Sequence, residues 1–163
     1  MSEERWTGGC QCGALRYELL EKPQGPHICH CRMCQKQFGN FFAALCGVPK
    51  DKFRLTRGTM ANFLSSEKVQ RGFCRDCGTP LTYEPLERAF ISVSIGSLDN
   101  HSAMQPEAQY GIEAREPWFN DLHSLPAFVS GEDETGSNWF AKLLPGIKSS
   151  NRQHPDHDTD KWP

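Results

Sequence analysis

Eight cysteines lie between Cys10 and Cys77, and none follows. Seven of them fall in three tight clusters, "GGCQCG", "CHCRMC" and "CRDCGTP", and Cys46 in "AALCGV" stands apart. Thiols at this density serve a metal, a disulfide or a redox centre. "CRDCG" has the form of a zinc knuckle, a turn in which Cys74 and Cys77 offer two thiolates to one ion. One such pair fills half of a tetrahedral site. Cys10 and Cys12, also followed directly by glycine, are the natural complement, which predicts a closed structural zinc site tying the start of the domain to its middle. A redox C-x-x-C normally opens a helix beside a strand. Here Gly78, Thr79 and Pro80 are poor helix sequence, so zinc is the expected role.

Cys29, Cys31 and Cys34 are then left over. Three protein ligands with a fourth position free is the arrangement of catalytic zinc. The alternative is a closed site completed by His27, His30 or Cys46, and spacing alone leaves both open. Arg32 and Lys36 share the stretch with these thiols, and Arg71 and Arg75 flank Cys74. A guanidinium can grip a carboxylate through two parallel hydrogen bonds, although each of these cations could equally be a solvated surface charge.

The frame needed to position these groups reads as β-rich. "GALRYEL" alternates Leu15, Tyr17 and Leu19, the pattern of a half-buried strand. "FFAALCGV", "FRLTRG", "ANFLSS", "VQRGFC", "PLTYEP" and "AFISVSIGSL" are further short strand candidates, with Ser65–Lys68 as a hairpin turn. "NWFAKLLPGI" predicts a short helix with Trp139, Phe140, Leu143 and Leu144 on one side, expected to pack into the core in preference to a partner chain. The final "KSSNRQHPDHDTDKWP" is polar and predicts a loose tail in which His154 and His157 are solvated. Residues 1–130 are therefore expected to form the zinc-binding domain, with 131–163 as an extension.

At 163 residues the chain has room for one modest core. A net charge of −2 gives no basic footprint for nucleic acid. The start "MSEERWTGG" lacks the apolar run of a signal, and no stretch is apolar enough for a membrane span. The sequence predicts a cytoplasmic protein with reduced cysteines.

Taken in order, "TGGCQCGALRYEL", "CHCRMCQKQFG", "FLSSEKVQRGFCRDCGTPLTY", "ISVSIGSLDN" and "PWFNDLHSLPAF" resemble the glutathione-dependent formaldehyde-activating enzyme (GFA) family, which shares its domain with centromere protein V. The resemblance runs from about Thr7 to about Phe128. It implies an Mss4-like, mainly β sandwich of short antiparallel strands with a few short helices. It also implies two zinc ions per chain, one on Cys10, Cys12, Cys74 and Cys77 and a second on Cys29, Cys31 and Cys34, with glutathione as co-substrate. The implied activity is that of a carbon–sulfur lyase forming or cleaving S-hydroxymethylglutathione from glutathione and formaldehyde, or handling a related thiol–aldehyde adduct. On that reading Cys29, Cys31, Cys34 and His30 are the catalytic candidates and Arg32, Lys36 and Arg71 the substrate-binding ones. His27 or His30 could relay a proton, having the right pKa range. The partners would be a small thiol and an aldehyde, and a homodimer is compatible with the sequence. A non-catalytic zinc module of the same fold is the alternative. A methionine sulfoxide reductase is disfavoured because no cysteine follows Cys77. Cys46 has no metal role and reads as a small buried hydrophobe.

Overall fold

A computed structural model describes residues 5–130 and 139–160. The chain divides into two compact units, one of Met1–Glu116 with Gln153–Pro163 and one of Pro117–Arg152. The first unit carries ten strands in two sheets. β1 (Trp6–Gly9), β2 (Arg16–Leu19) and β5 (Phe53–Arg57) make a three-stranded sheet in the order β1-β2-β5. The second sheet has seven strands in the order β10-β3-β4-β9-β8-β7-β6, formed by β3 (Gln24–Cys29), β4 (Ala43–Pro49), β6 (Ala61–Ser66), β7 (Val69–Phe73), β8 (Pro80–Pro85), β9 (Phe90–Ser94) and β10 (Ala108–Tyr110). All pairs are antiparallel except β10 with β3. The mainly β, two-sheet architecture expected from the sequence is what the chain adopts.

Each strand candidate picked out above contains a strand, and the β6–β7 hairpin closes at Glu67–Lys68 as its turn residues require. Tyr17 and Leu19 of the first sheet pack with Val48, Leu81, Ile91 and Val93 of the second in one apolar cluster. The Tyr17 hydroxyl is bonded to Ser97 Oγ at 2.7 Å, so its polar end is satisfied inside that cluster. Cys46 is fully buried there, and burial pushes its thiol up to about 12, which makes it an inert core residue.

β2 departs from its expected half-buried form, because Arg16 and Glu18 on its other face are buried too. Glu18 is covered by Arg5 and Arg54, whose hydrogen bonds hold its carboxyl below the usual range against the opposing effect of burial. Arg16 is gripped by Asp99, through Nη1 to Oδ1 at 2.9 Å and through Nη2 to Oδ2, and by Asp158 at 2.8 Å. Asp158 belongs to the C-terminal segment, which is not loose over this stretch. His154 is buried, contrary to its expected solvation, and its backbone N–H donates to Gln11 O at 2.7 Å. Its ring lies over Gly13, which has a φ of +79° and where a Cβ would collide with the imidazole. Arg57 secures the same segment through Gly13 O at 3.0 Å and Thr159 O. Composition could not show this, since the tail is docked by two arginines of the sheet rather than by apolar burial. His157 is exposed as expected.

The second unit holds a 3-10 helix at Phe119–Ser124 and α2 (Trp139–Ser149). Asn138, the first residue of the expected helix, lies outside the described residues. No residue of α2 is buried, so its apolar side does not join a core as expected. Among its described residues this unit contains no strand. Among the described residues no helix is long and apolar enough to cross a membrane.

Replacing Arg16 with Met should cost about 3 kcal/mol, because Asp99 would be left with an uncompensated and largely buried charge. Asp158→Asn should cost less than ~1 kcal/mol, since that carboxylate is half exposed. Denaturant unfolding of the metal-loaded variants measures both. Equal losses would show that the tail contact, not the Asp99 pair, is the principal one.

Candidate metal centres

Two thiol clusters emerge from this frame. Cys10 and Cys12 occupy the turn after β1, and Cys74 and Cys77 the turn after β7, so one pair comes from each sheet. The two turns are built alike. Cys10 N–H donates to Leu15 O at 3.0 Å, and Cys74 N–H donates to Thr79 O, also at 3.0 Å. Gly78 closes the second turn with a φ of +77°, a conformation that side chains resist. Gln11 N–H donates to Thr79 Oγ1 at 3.0 Å and joins one knuckle to the other. Thr79 Oγ1 lies 3.1 Å from Cys77 Sγ, and its single proton is therefore free to point at that sulfur.

The four sulfurs lie within 4.8 Å of one another. Cys10 to Cys12 is 3.6 Å and Cys12 to Cys74 is 3.9 Å. Four sulfurs at zinc-bond length from a tetrahedral centre would sit about 3.8 Å apart. The cluster therefore fits a closed tetrathiolate ion. Burial pushes the Cys10 thiol up to about 12. Burial also opposes ionisation of Cys77, but the Thr79 hydroxyl and backbone N–H donors outweigh it and bring that thiol down to about 6. The protein alone readily ionises part of this set, and a divalent cation would complete it.

The second cluster is local. Cys29 ends β3, Cys31 caps α1 (Arg32–Phe38), and Cys34 lies in the first turn of that helix. Positions three apart share a helix face, so Cys31 and Cys34 converge with Cys29, all three sulfurs lying within 4.8 Å. Arg32 to Lys36, for which the sequence predicts no regular element, lie on this helix. Arg, Met, Gln and Lys are good helix formers, and Gly39 in the left-handed conformation caps the end. The hydrogen bond from Cys29, aided by Arg71 and opposed by burial, brings the Cys34 thiol down to about 5, while Cys29 is pushed up as the donor of that pair.

Residues 5–114 match the family described as glutathione-dependent formaldehyde-activating enzyme. The chain belongs to this family. A curated protein of Phaeosphaeria nodorum named "Putative glutathione-dependent formaldehyde-activating enzyme" is 33% identical over 86 residues, covering 48% of this chain and 45% of that protein. The match thus spans just under half of the relative's length. A crystal structure of a Rhodobacter sphaeroides protein superposes with a TM-score of 0.52 at 20% identity, over 63% of this chain and 98% of that one, a likeness of fold alone.

Against the family expectation, both cysteine sets come together as grouped and are compatible with zinc. His27 is bonded to Gly25 O at 2.8 Å and packs edge-on to Tyr110. His30 is fully buried, with Nε2 2.9 Å from Gln109 Oε1 of β10. Arg32, Lys36 and Arg71 line one pocket of about 520 Å³ together with Met33, Gln37, Phe63 and Ser65. Arg32 and Lys36 are exposed at its rim, whereas Arg71 is buried with Nη2 3.5 Å from Cys34 Sγ. Arg75 is exposed on the Cys74 knuckle.

Gln35 was not singled out from the sequence. It is buried, donates through Nε2 to His30 O at 2.9 Å and Ala114 O at 3.0 Å, and accepts from Arg32 Nη1 at 3.0 Å. It thereby fixes the cysteine loop to the chain beyond β10. Its type carried no local signal, since Gln37 two positions on is the same residue and is only partly buried. Thr79 was read only as a poor helix former, and its link between the knuckles went unseen.

Cys74→Ser should leave little folded protein, because a metal at a site joining two sheets contributes folding free energy directly. Cys31→Ser should give a folded protein binding one ion fewer. Far-UV circular dichroism with elemental analysis of both variants checks the pair. Equal unfolding would remove the distinction between the clusters.

Proposed function

We propose that the Cys29–Cys31–Cys34 cluster binds zinc and, with the adjoining pocket, forms a thiol–aldehyde site. The reaction is formation or cleavage of S-hydroxymethylglutathione from glutathione and formaldehyde, or of a closely related adduct, which makes the protein a carbon–sulfur lyase. The Cys10–Cys12–Cys74–Cys77 ion is structural in this reading. One observation carries it: the three-sulfur cluster shares Arg71 with a pocket whose other charged linings, Arg32 and Lys36, are also cationic. Among the described residues none that lines this pocket is acidic. A thiol compound bearing carboxylates suits that combination. The pocket is also within the size range usual for small-molecule sites.

Cys29, Cys31 and Cys34 would hold the zinc, which when bound would offer a position to an incoming thiol and lower that thiol's pKa. The chain's own residues do the rest. Arg32 and Lys36 meet the ligand's carboxylates at the rim, and Met33 and Phe63 give the pocket its apolar wall. Gln35 holds Arg32 in place and pins the cysteine loop, so the sulfurs keep their mutual distances as ligand enters. His30, enclosed and bonded to Gln109, fits a supporting role better than that of an exposed proton relay.

Changing both Arg32 and Lys36 to Gln should raise the glutathione Kd about tenfold, since each exposed ion pair contributes ~1 kcal/mol or less. Calorimetric titration of the zinc-loaded protein measures this. Two-dimensional exchange NMR of glutathione with formaldehyde should show adduct formation faster with native protein than with Cys31→Ser. Equal exchange rates would leave a binding module without turnover.

A further inference from the structure

Arg71 lies in β7 opposite Phe63 of β6 and Tyr83 of β8, and only 1% of it is exposed. Its guanidinium is held on three sides. Nε donates to Ser65 Oγ at 3.1 Å, Nη2 donates to Cys34 Sγ at 3.5 Å, and the plane sits 4.9 Å from the centre of the Tyr83 ring. Nη1 is buried as well and has no hydrogen-bond partner. Among the described residues no carboxylate forms an ion pair with Arg71. A buried guanidinium lacking an anion is costly, and so is a buried N–H lacking an acceptor. The anion at hand is the three-sulfur cluster. Three thiolates around a divalent ion carry a charge of −1, which one guanidinium cancels.

We infer that Arg71 is the positioning residue of this cluster: it supplies the positive charge that three thiolates around a divalent ion lack, and holds Nη1 as the donor for a thiolate entering from the pocket. The inference rests on the preceding reading that Cys29, Cys31 and Cys34 hold a metal. Its place in the strand makes this a fixed arrangement. Ser65 and Tyr83 clamp the guanidinium from neighbouring strands, so Nη1 does not need to reorganise when a ligand arrives. A lysine at this position would keep the charge but present no second donor arm in a set direction.

Cobalt(II) substitution provides the test, because thiolate-to-cobalt charge-transfer bands report each site directly. Native protein should take up two ions per chain. Arg71→Met should keep the first and hold the second about 10- to 100-fold more weakly, as measured against a competing chelator. Arg71→Lys should restore most of that metal affinity. It should still weaken the spectral response to added glutathione about tenfold, the effect of losing one charge-assisted hydrogen bond. Ser65→Ala, which loosens the clamp and leaves the charge, should weaken the glutathione response with cobalt uptake unchanged. Should Arg71→Met fail to fold, this variant and Arg71→Lys decide the donor role, and Arg71→Gln, which removes the charge but keeps a donor, decides the charge role by the same cobalt competition: native second-site affinity there would overturn it. Second-site affinity in Arg71→Met equal to native would overturn the charge role, and native glutathione affinity in Arg71→Lys would overturn the donor role. Uptake of a single cobalt by native protein would refute the metal reading itself, and the Arg71 inference with it.

Discussion

Four sulfurs from two turns 62 residues apart occupy one small volume, and the rest of the chain is arranged around that fact. One turn leaves the three-stranded sheet and the other leaves the seven-stranded sheet, so the cluster clips the two layers at one end. Cys10 and Cys74 are also members of the apolar core, so a metal held by this cluster would act at the place where the core packs. Burial first, and the neighbouring thiols after it, push the Cys10 thiol up, so full ionisation of the set favours a cation among the sulfurs. The folded arrangement and an ion held there would therefore depend on each other, a coupling typical of small metal-bearing domains.

The second cluster stands outside that coupling. Its three sulfurs come from one strand end and one helix turn, and no distant part of the chain contributes a thiol. Its long-range supports are polar instead: Gln35 reaching Ala114, His30 reaching Gln109, and Arg71 reaching across from β7. Such supports orient a site without being what holds the domain together, which leaves the cluster freer to change its ligands.

Much of this was legible because alternation and ligand spacing are local signals. β4 through β9 announce themselves as short β-rich stretches bounded by Gly, Pro, Ser or charged residues, and the two doublets of cysteines by their complementarity. β3 was hidden by Gly25 and Pro26, which weaken a strand reading, and β10 is a three-residue parallel pairing that only its neighbour stabilises. Helix α1 was hidden because Cys31-x-x-Cys34 fits a knuckle and a helical turn equally well. Burial on both faces of β2 was not visible either, since the partners of Arg16 lie 83 and 142 residues away. The place of His154 depends on the same distant contacts. Arg71 was expected to bind substrate or, failing that, to be a solvated surface charge. Its period-two position between Val69 and Phe73 was the clue that it faces inward, and only the register with Phe63 and Tyr83 makes that decisive.

The two clusters also differ in what surrounds the sulfur. Cys10 Sγ accepts from Leu15 N–H at 3.2 Å and Cys77 Sγ is met by the Thr79 hydroxyl, both neutral donors. Cys34 Sγ is met by a full cation. Fixed neutral dipoles are adequate where the charge never changes, as in a site whose ligand set is complete. A site that gains a further thiolate becomes more negative by one unit at the moment of binding, and dipoles already committed to the existing sulfurs offer little against it. A guanidinium with an uncommitted N–H meets that change with charge and a donor together. On the proposed reading, the choice of Arg beside three sulfurs and of N–H and hydroxyl beside four follows from whether the ligand count is constant, a distinction that cysteine spacing by itself does not carry.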